Sequence, residues 1–274
     1  MANTPICNGY TARARSLLLL PLLGACASFG APGPVVADRP GYTDAPTALP
    51  AHAIQLEAGA TDDRVAATLG APRTEYRTAG EMLLRAGVGA RTELRLFANS
   101  YATRLTDGAP NVSGFEDVKV GAKLNVRAMP DSLHEWLPNA ALLAATTLAT
   151  GANGLTAGVA QPEVKLAANW TTPSPYSLYV NFGYGAIETS ALATRAWVSV
   201  ANWWSVNPRV SFFAEGLAIG RVSGSGPGTS GNDVDAGITY LISDRLQIDI
   251  RAGRGLGSET SHERFIGAGF ARRW

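Results

Sequence analysis

The chain has 274 residues, 46% of them hydrophobic, and carries 23 Lys and Arg residues against 22 Asp and Glu residues. This near-neutral balance argues against nucleic acid as a partner, because phosphate binding relies on an excess of basic side chains. The two cysteines, Cys7 and Cys26, lie near the N-terminus, so the rest of the chain has no disulfide framework and no cysteine metal site.

The first residues are typical of an export signal. Arg13 and Arg15 form a positive region, the apolar run 16–23 follows it, and no acidic residue precedes Asp38. A helix needs about 20 apolar residues to cross a bilayer, so this run is too short to be a membrane span. We therefore predict a signal peptide over residues 1–27.

The processing of this signal is left open by three overlapping patterns. Ala25-Cys26-Ala27 and Val35-Val36-Ala37 both resemble cleavage sites, and the second would place the cut as late as Ala37. Leu23-Gly24-Ala25-Cys26 resembles a lipobox, in which cleavage before Cys26 makes that residue the acylated N-terminus. In the plainer alternative, Cys26 is a small residue that is removed with the signal.

Residues 28–52 are predicted to form an N-terminal periplasmic arm. The segment 38–50 is rich in proline and turn residues and shows no hydrophobic periodicity. Its charged residues Asp38, Arg39 and Asp44 can pair with charges inside a barrel, which makes the arm a candidate plug.

From residue 53 onward, short segments alternate apolar and polar residues. In the segment 117–126 every even position is apolar, while the odd positions carry Asp, Lys, Gly, Lys and Asn. Successive strand side chains point to opposite faces, so this segment has one apolar and one charged face. The pattern predicts strands at 53–60, 81–88, 92–100, 115–127, 138–149, 162–171, 176–187, 193–204, 208–221, 232–242, 245–254 and 264–274. We expect an all-β fold over residues 53–274, an antiparallel up-and-down transmembrane β-barrel of about 12 strands.

The connections favour a membrane barrel over a soluble sandwich. Short turns such as 89–91 and 243–244 follow even-numbered strands, and longer connections such as 150–161 follow odd-numbered ones, with exceptions at 128–137 and 188–192. Outer-membrane barrels combine short periplasmic turns with longer outer loops. Alternation alone is also explained by a soluble sandwich with its charged faces toward water.

In a membrane barrel, the apolar faces contact lipid and the polar faces line the lumen. The predicted lumen-lining residues carry charges of both signs, which a solvated lumen tolerates better than a dry core does. They are Glu57, Arg85, Glu93, Arg95, Asp117, Lys119, Lys123, Glu163, Lys165, Glu215, Asp233, Asp235, Asp249 and Arg251.

The last strand fits insertion into a bacterial outer membrane. Phe270 and Trp274 share one face, and the chain ends on the second of them. This ending resembles the C-terminal signal that the barrel-assembly machinery recognises. Trp and Tyr residues near other strand ends are consistent with an interfacial girdle. We therefore expect outer-membrane lipid and the assembly machinery as partners.

Several short motifs resemble a known family. They are Asp38-Arg39-Pro40-Gly41-Tyr42-Thr43-Asp44, Gln55-Leu56-Glu57-Ala58-Gly59, Glu116-Asp117-Val118-Lys119-Val120-Gly121-Ala122-Lys123, Leu148-Ala149-Thr150-Gly151, Asp244-Arg245-Leu246-Gln247-Ile248-Asp249 and Phe265-Ile266-Gly267-Ala268-Gly269-Phe270. They are similar to segments of the bacterial outer-membrane transporter-like family named for the meta-pathway of phenol degradation. The resemblance spans the exported part of the chain. It implies an outer-membrane barrel that passes small, often hydrophobic or aromatic compounds.

The sequence thus predicts a passive pore or transporter for small compounds that is not an enzyme and uses no cofactor or metal. One alternative is a non-transporting structural or surface-binding barrel. Another is an outer-membrane hydrolase built around His262 at the outer rim. Its neighbours Ser261 and Glu263 do not complete a triad, because adjacent residues on an extended chain point apart.

Overall fold

The computed structural model describes residues 33–65, 67, 72–98, 100–128, 137–171, 175–187, 193–223, 231–256 and 263–274. The predicted signal peptide with Cys26 lies outside these residues, and so does His262. Within this part of the chain, no helix has the length and apolar character needed to cross a membrane.

The described residues form fifteen strand segments in one sheet. Their bounds are β1 Ile54–Val65, β2 Thr74–Ala79, β3 Met82–Gly87, β4 Thr92–Ala98, β5 Tyr101–Thr106, β6 Val112–Phe115, β7 Val118–Arg127, β8 Asn139–Leu148, β9 Gln161–Thr171, β10 Tyr176–Ile187, β11 Ala193–Asn207, β12 Val210–Ser223, β13 Gly231–Ser243, β14 Leu246–Gly255 and β15 Arg264–Arg273. The sheet closes on itself, because β1 pairs with β15 in antiparallel register from Gln55↔Arg273 to Arg64↔Arg264.

The fifteen segments make twelve barrel strands, because three of the strands are interrupted. The first half of β1 pairs with β3 and its second half with β2, so β2 and β3 belong to one strand. In the next barrel strand, β4 pairs with β3 and β5 pairs with β2. In the strand after that, β7 pairs with β4 and β6 pairs with β5. The predicted antiparallel up-and-down barrel of about 12 strands is confirmed.

Each interruption reverses the alternation of inward and outward residues. Glu57 and Asp63 of β1 both point inward, and their partners are Leu83 in β3 and Tyr76 in β2. The inward positions therefore have odd numbers in β3 and even numbers in β2. One extra residue in a strand has this effect, as in a β-bulge. The prediction that 61–80 and 101–114 are connections is therefore wrong in part. β1 runs on to Val65, and β2, β5 and β6 are strands whose alternation is out of phase with the rest.

The two faces of the wall differ in the way the alternation predicts. On the outer face, large apolar side chains are exposed, with Phe182 at 56% and Ile266 at 53%. On the inner face, Arg85, Glu93 and Lys123 are charged and fully buried. The closed barrel with an apolar exterior excludes the soluble-sandwich alternative, whose charged faces would point toward water.

The tight turns lie at the end of the barrel where β1 begins and β15 ends. Between β11 and β12, Asn207 Oδ1 accepts hydrogen bonds from the backbone N–H groups of Arg209 (2.8 Å) and Val210 (2.9 Å). Asn favours such turns because its side chain replaces a backbone acceptor. Short turns mark the periplasmic end of outer-membrane barrels, so the opposite end is the outer end.

Candidate functional site: a lumen filled by the arm

Residues 33–53, called the arm below, enter the barrel at the periplasmic end and return to it. At the start, the Val35 N–H donates to the carbonyl of Asp244 in the β13–β14 turn (2.8 Å). At the end, the His52 N–H donates to the carbonyl of Gly87, the last residue of β3 (2.8 Å). Between these points the arm lies inside the lumen, in contact with the inner faces of most of the wall.

The arm has no regular secondary structure, so its backbone N–H groups need other acceptors. Pro40, Pro46 and Pro50 carry no N–H, which reduces the number to be satisfied. Wall carboxylates and one amide accept six of the others. The bonds run from Asp38 and Arg39 to Glu57 (3.0 and 2.9 Å), Tyr42 and Thr43 to Glu215 (2.5 and 2.7 Å), Asp44 to Asn181 (2.8 Å) and Leu49 to Glu93 (2.8 Å).

Two carboxylates of the arm lie among cations of the wall. Asp38 Oδ2 is 2.7 Å from Arg95 Nη1 and 2.9 Å from Lys123 Nζ. Asp44 Oδ1 is 3.0 Å from Arg95 Nη2, and its Oδ2 accepts a hydrogen bond from Lys165. Burial alone would raise the pKa of Asp44, but Lys165, Arg95 and Lys123 together hold this pKa well below its ordinary value of 3.8. Burial is likewise outweighed by surrounding cations at Asp38, whose pKa is also lowered.

Arg39 carries the positive charge of the arm to the other side of the lumen. Its Nη1 is 2.8 Å from Glu81 Oε2, and its Nη2 is 3.5 Å from Asp249 Oδ1. The guanidinium crosses Gly59 of β1, where a Cβ would lie 2.2 Å from Nη2. Glu81 lies at the interruption between β2 and β3, so the extra residue that reverses the alternation also supplies a partner for the arm.

Arg85 joins the wall and the arm into one network. Its guanidinium is 2.9 Å from Glu57 Oε1, 2.9 Å from Glu93 Oε2 and 3.5 Å from Asp38 Oδ2. It also donates to the carbonyl of Val36 at 3.0 Å. A buried charge is tolerated only when it is paired and hydrogen-bonded, and Arg85 meets both conditions.

Two sets of charged residues lie on different parts of the barrel wall, and Glu57 and Glu93 lie beside the cationic set. The cations Arg85, Arg95, Lys123 and Lys165 belong to β3, β4, β7 and β9, whereas β12–β14 carry a set of carboxylates. That set is Glu215, Asp233, Asp235 and Asp249. In a ring of twelve strands these groups lie on opposite sides, with the arm between them. Arg251 is placed on the acidic side, 3.5 Å from Asp235 Oδ2 and 5.2 Å from the ring centre of Tyr42.

A cavity of about 240 Å³ lies beside the docked arm. Arg39, Tyr42 and Asp44 of the arm form one side, and Phe97 and Lys119 are among the residues of the opposite side. Lys119 also lines a wider vestibule of about 590 Å³ at the outer end of the barrel. The vestibule and the cavity therefore meet at Lys119, between the outer end and the arm.

Asp117 ties an outer loop to the wall of the vestibule. It lies between β6 and β7, and its Oδ1 accepts the N–H groups of Thr150 (2.9 Å) and Gly151 (2.7 Å). Its Oδ2 accepts the Ala157 N–H at 2.7 Å. These hydrogen bonds outweigh the effect of burial and lower the pKa of Asp117. Asp117 lines the vestibule, apart from the ionic network around the arm.

The structure brings most of the candidate residues together. The inner face of the wall carries Glu57, Arg85, Glu93, Arg95, Lys119, Lys123, Glu163, Lys165, Glu215, Asp233, Asp235, Asp249 and Arg251. Asp38, Arg39 and Asp44 lie among them. Sequence reasoning missed Tyr76 and Arg104, because the interruptions placed them in segments interpreted as loops. It also missed Glu81, the first residue of the predicted strand 81–88. Phe270 and Trp274 lie on the outer face at the periplasmic end, and their role in insertion stays a prediction.

A closed twelve-stranded barrel with an apolar exterior and a charged lumen defines the class of bacterial outer-membrane β-barrels. The chain belongs to the family described as "Putative MetA-pathway of phenol degradation", which matches residues 37–274. The family resemblance of the short motifs is thereby confirmed. None of the curated proteins matches the chain.

Solved structures of outer-membrane proteins share this fold. The COG4313 outer membrane channel from Pseudomonas putida F1 has a TM-score of 0.61 and 14% identity, over 83% of this chain and 97% of that one. The translocator domain of the autotransporter NalP from Neisseria meningitidis has a TM-score of 0.54 and 13% identity, over 81% of this chain and 88% of that one. The NanC porin has a TM-score of 0.52 and 7% identity, over 80% of this chain and 98% of that one. At these identities the likeness shows the fold.

Proposed function

We propose that the protein is a passive pore for small compounds in the bacterial outer membrane, and that the arm closes it when docked. The observation that carries the proposal is the charged lumen, whose vestibule and cavity lead from the outer end to the arm. Two of the similar structures are described as a channel and a porin, which supports the same function. Transport of this kind needs no catalytic step and no cofactor.

The cavity beside the arm favours small permeants with both apolar and polar parts. Its volume of about 240 Å³ exceeds the roughly 150 Å³ of an apolar cavity that binds benzene. Phe97 offers a ring edge or face, and Lys119 lies 4.6 Å from the centre of that ring and 3.1 Å from Glu163 Oε1. We therefore propose small aromatic or amphipathic compounds as the permeant class.

The proposed partners follow from the two faces of the wall. Outer-membrane lipid covers the apolar exterior, and the barrel-assembly machinery binds the last strand with Phe270 and Trp274. The near-neutral charge of the chain leaves nucleic acid out of the proposal.

Solute flux tests the proposed function. The full-length barrel, reconstituted in liposomes, should produce faster swelling with small aromatic carboxylates and small sugars than empty liposomes show. Heat-modifiable gel migration verifies that the reconstituted barrel is folded. A folded barrel that passes none of these solutes would overturn the proposal in favour of the non-transporting barrel.

Acid should release the arm only at low pH. The pKa values of Asp38 and Asp44 are lowered from 3.8. Their ion pairs therefore stabilise the docked arm to the full extent at any pH above about 3.8. This stabilisation is lost as the pH falls through the lowered pKa values. Conductance recorded at decreasing pH should stay at its neutral level down to about pH 4 and rise below it.

The variant Asp44→Asn serves as the control for the acid response. It removes one titrating group and its attraction to Lys165, so the arm should dock more weakly already at neutral pH. If the unmodified barrel opened between about pH 7 and about pH 5, the ion pairs of Asp38 and Asp44 would not be what holds the arm.

A further inference from the structure

Three arginines lie side by side on the outer face of the barrel, where β14, β15 and β1 approach the outer end. Arg64 of β1 and Arg264 of β15 are direct partners in the antiparallel register. Arg254 of β14 opposes Val234 of β13, in the stretch of β14 that lies beyond its last partner in β15, Gly253↔Phe265. Like charges directly opposite each other destabilise a sheet, so an anion bound between these arginines would stabilise it.

Within the part of the chain that the structure describes, little negative charge is available to these three arginines. Arg64 is 3.7 Å from Asp62 and 4.0 Å from Glu75. Both carboxylates are also engaged by Arg77 at 3.0 Å. Among the described residues, no carboxylate forms an ion pair with Arg254 or Arg264, and the hydrogen bond of Arg254 runs to the carbonyl of Gly255 at 3.5 Å.

The height of this surface along the barrel matches the outer membrane interface. Arg64 is ten residues beyond Ile54, which lies at the periplasmic end of β1. At about 3.3 Å per residue and a tilt of about 45°, this separation corresponds to roughly 23 Å along the membrane normal. The apolar band of an outer-membrane barrel is about 25 Å tall, so the arginines lie where lipid headgroups begin.

An apolar groove continues from the arginines toward the middle of the membrane. A depression of about 380 Å³ is lined by Asp62, Arg64 and Arg264 together with Ala252 and Ile266. Ala252 and Ile266 also line a second depression of about 370 Å³, which is otherwise mostly apolar. The small side chains of Ala236 and Ala252, partners in the sheet, lie between larger ones and form the floor. The surface thus combines a cationic end with an apolar trough.

We propose that this surface is a binding site for a phosphorylated, multiply acylated glycolipid of the outer leaflet. Arginine binds phosphate oxygens in a bidentate manner, and Arg64, Arg254 and Arg264 can surround a phosphate on the sugar headgroup. One acyl chain lies in the groove over Ala236 and Ala252. The site is on the outer wall, so it is independent of whether the lumen conducts.

The test compares lipid retention by purified full-length barrels in native mass spectrometry. The probes are diphosphorylated lipid A, lipid A stripped of both phosphates, and phosphatidylcholine. In the double variant Arg64→Gln/Arg264→Gln, the affinity for diphosphorylated lipid A should fall roughly tenfold to thirtyfold, since each arginine near a lipid surface contributes about a factor of five. The matched control Arg209→Gln/Arg245→Gln changes two exposed arginines at periplasmic turns and should leave the affinity unchanged.

A second variant tests the groove without altering the charges. Ala252→Phe fills the trough that the two depressions share and should also weaken retention of diphosphorylated lipid A. Heat-modifiable migration shows which variants are folded. Equal retention by the unmodified barrel and a folded Arg64→Gln/Arg264→Gln barrel would overturn the proposal. So would complete displacement of the lipid by inorganic phosphate together with full retention by the Ala252→Phe variant, since the site would then bind phosphate alone.

Discussion

Deletion of residues 38–50 is expected to raise the single-channel conductance of the barrel severalfold. These residues hold the arm in the lumen through backbone bonds to Glu57, Glu93 and Glu215 and through the ion pairs of Asp38 and Asp44. Without them, the vestibule and the cavity would continue toward the periplasmic end. The barrel itself should persist, because its strands close through β1 and β15 without the arm.

Planar-bilayer recording measures this effect directly. The double variant Asp38→Asn/Asp44→Asn keeps the length of the arm but removes two of its ion-pairing charges, so it should show intermediate conductance or more frequent openings. Heat-modifiable migration verifies that each variant has folded. Unchanged conductance after the deletion would show that the arm does not obstruct the pore.

Replacement of Arg85 by Leu is expected to cause the largest loss of stability of any single change in the wall. The guanidinium is fully buried and forms ion pairs with Glu57, Glu93 and Asp38 at once. Removal of one partner from a buried ionic network leaves uncompensated charge, which typically costs about 3–5 kcal/mol. Denaturant unfolding of the reconstituted barrel should show a loss of this size.

Two further variants separate lost charge pairing from lost packing. Arg85→Leu/Glu93→Gln removes one of the orphaned carboxylates and should recover part of the stability that Arg85→Leu loses. Arg209→Leu alters an exposed arginine at a periplasmic turn and should change the free energy of unfolding by less than about 0.5 kcal/mol. If Arg85→Leu were no more destabilising than Arg209→Leu, the network around the arm would contribute little to the fold.

The barrel could be predicted from the sequence because its alternation is strict over most of the wall. β7 illustrates this, since Lys119 and Lys123 point inward while Val120 and Leu124 are exposed outward. Alternation does not predict the strands correctly where one of them contains an extra residue. β2, β5 and β6 alternate out of phase with the strands that they continue. When one phase of alternation is assumed for the whole strand, these segments are assigned to loops.

The lumen could be predicted as a set of residues but not as a network. Alternation places Arg95 and Lys123 inward, yet their partner Asp38 is 57 and 85 residues away in the sequence. The charges of the arm suggested a plug, because Asp38, Arg39 and Asp44 lie in an otherwise turn-rich segment. No sequence pattern indicates that Glu57 and Glu215 accept backbone N–H groups of the arm, since this depends on the path of the chain inside the barrel.

A reversible covalent link between the arm and the wall tests whether the docked arm closes the pore. Thr43 Oγ1 in the arm and Ser199 Oγ in β11 are 2.8 Å apart and buried, a geometry compatible with the short Cβ separation of about 4 Å in disulfides. The variant Thr43→Cys/Ser199→Cys, in a chain with Cys7→Ala and Cys26→Ala, would place the only two thiols at this contact. The single variant Ser199→Cys in the same background is the control.

Solute flux into liposomes is then measured before and after reduction. If the docked arm closes the pore, the oxidised double variant should pass no small aromatic carboxylate, reductant should restore the flux, and the control should be insensitive to reductant. If the oxidised variant passed the solute as fast as the reduced one, the arm would not be the element that closes this barrel.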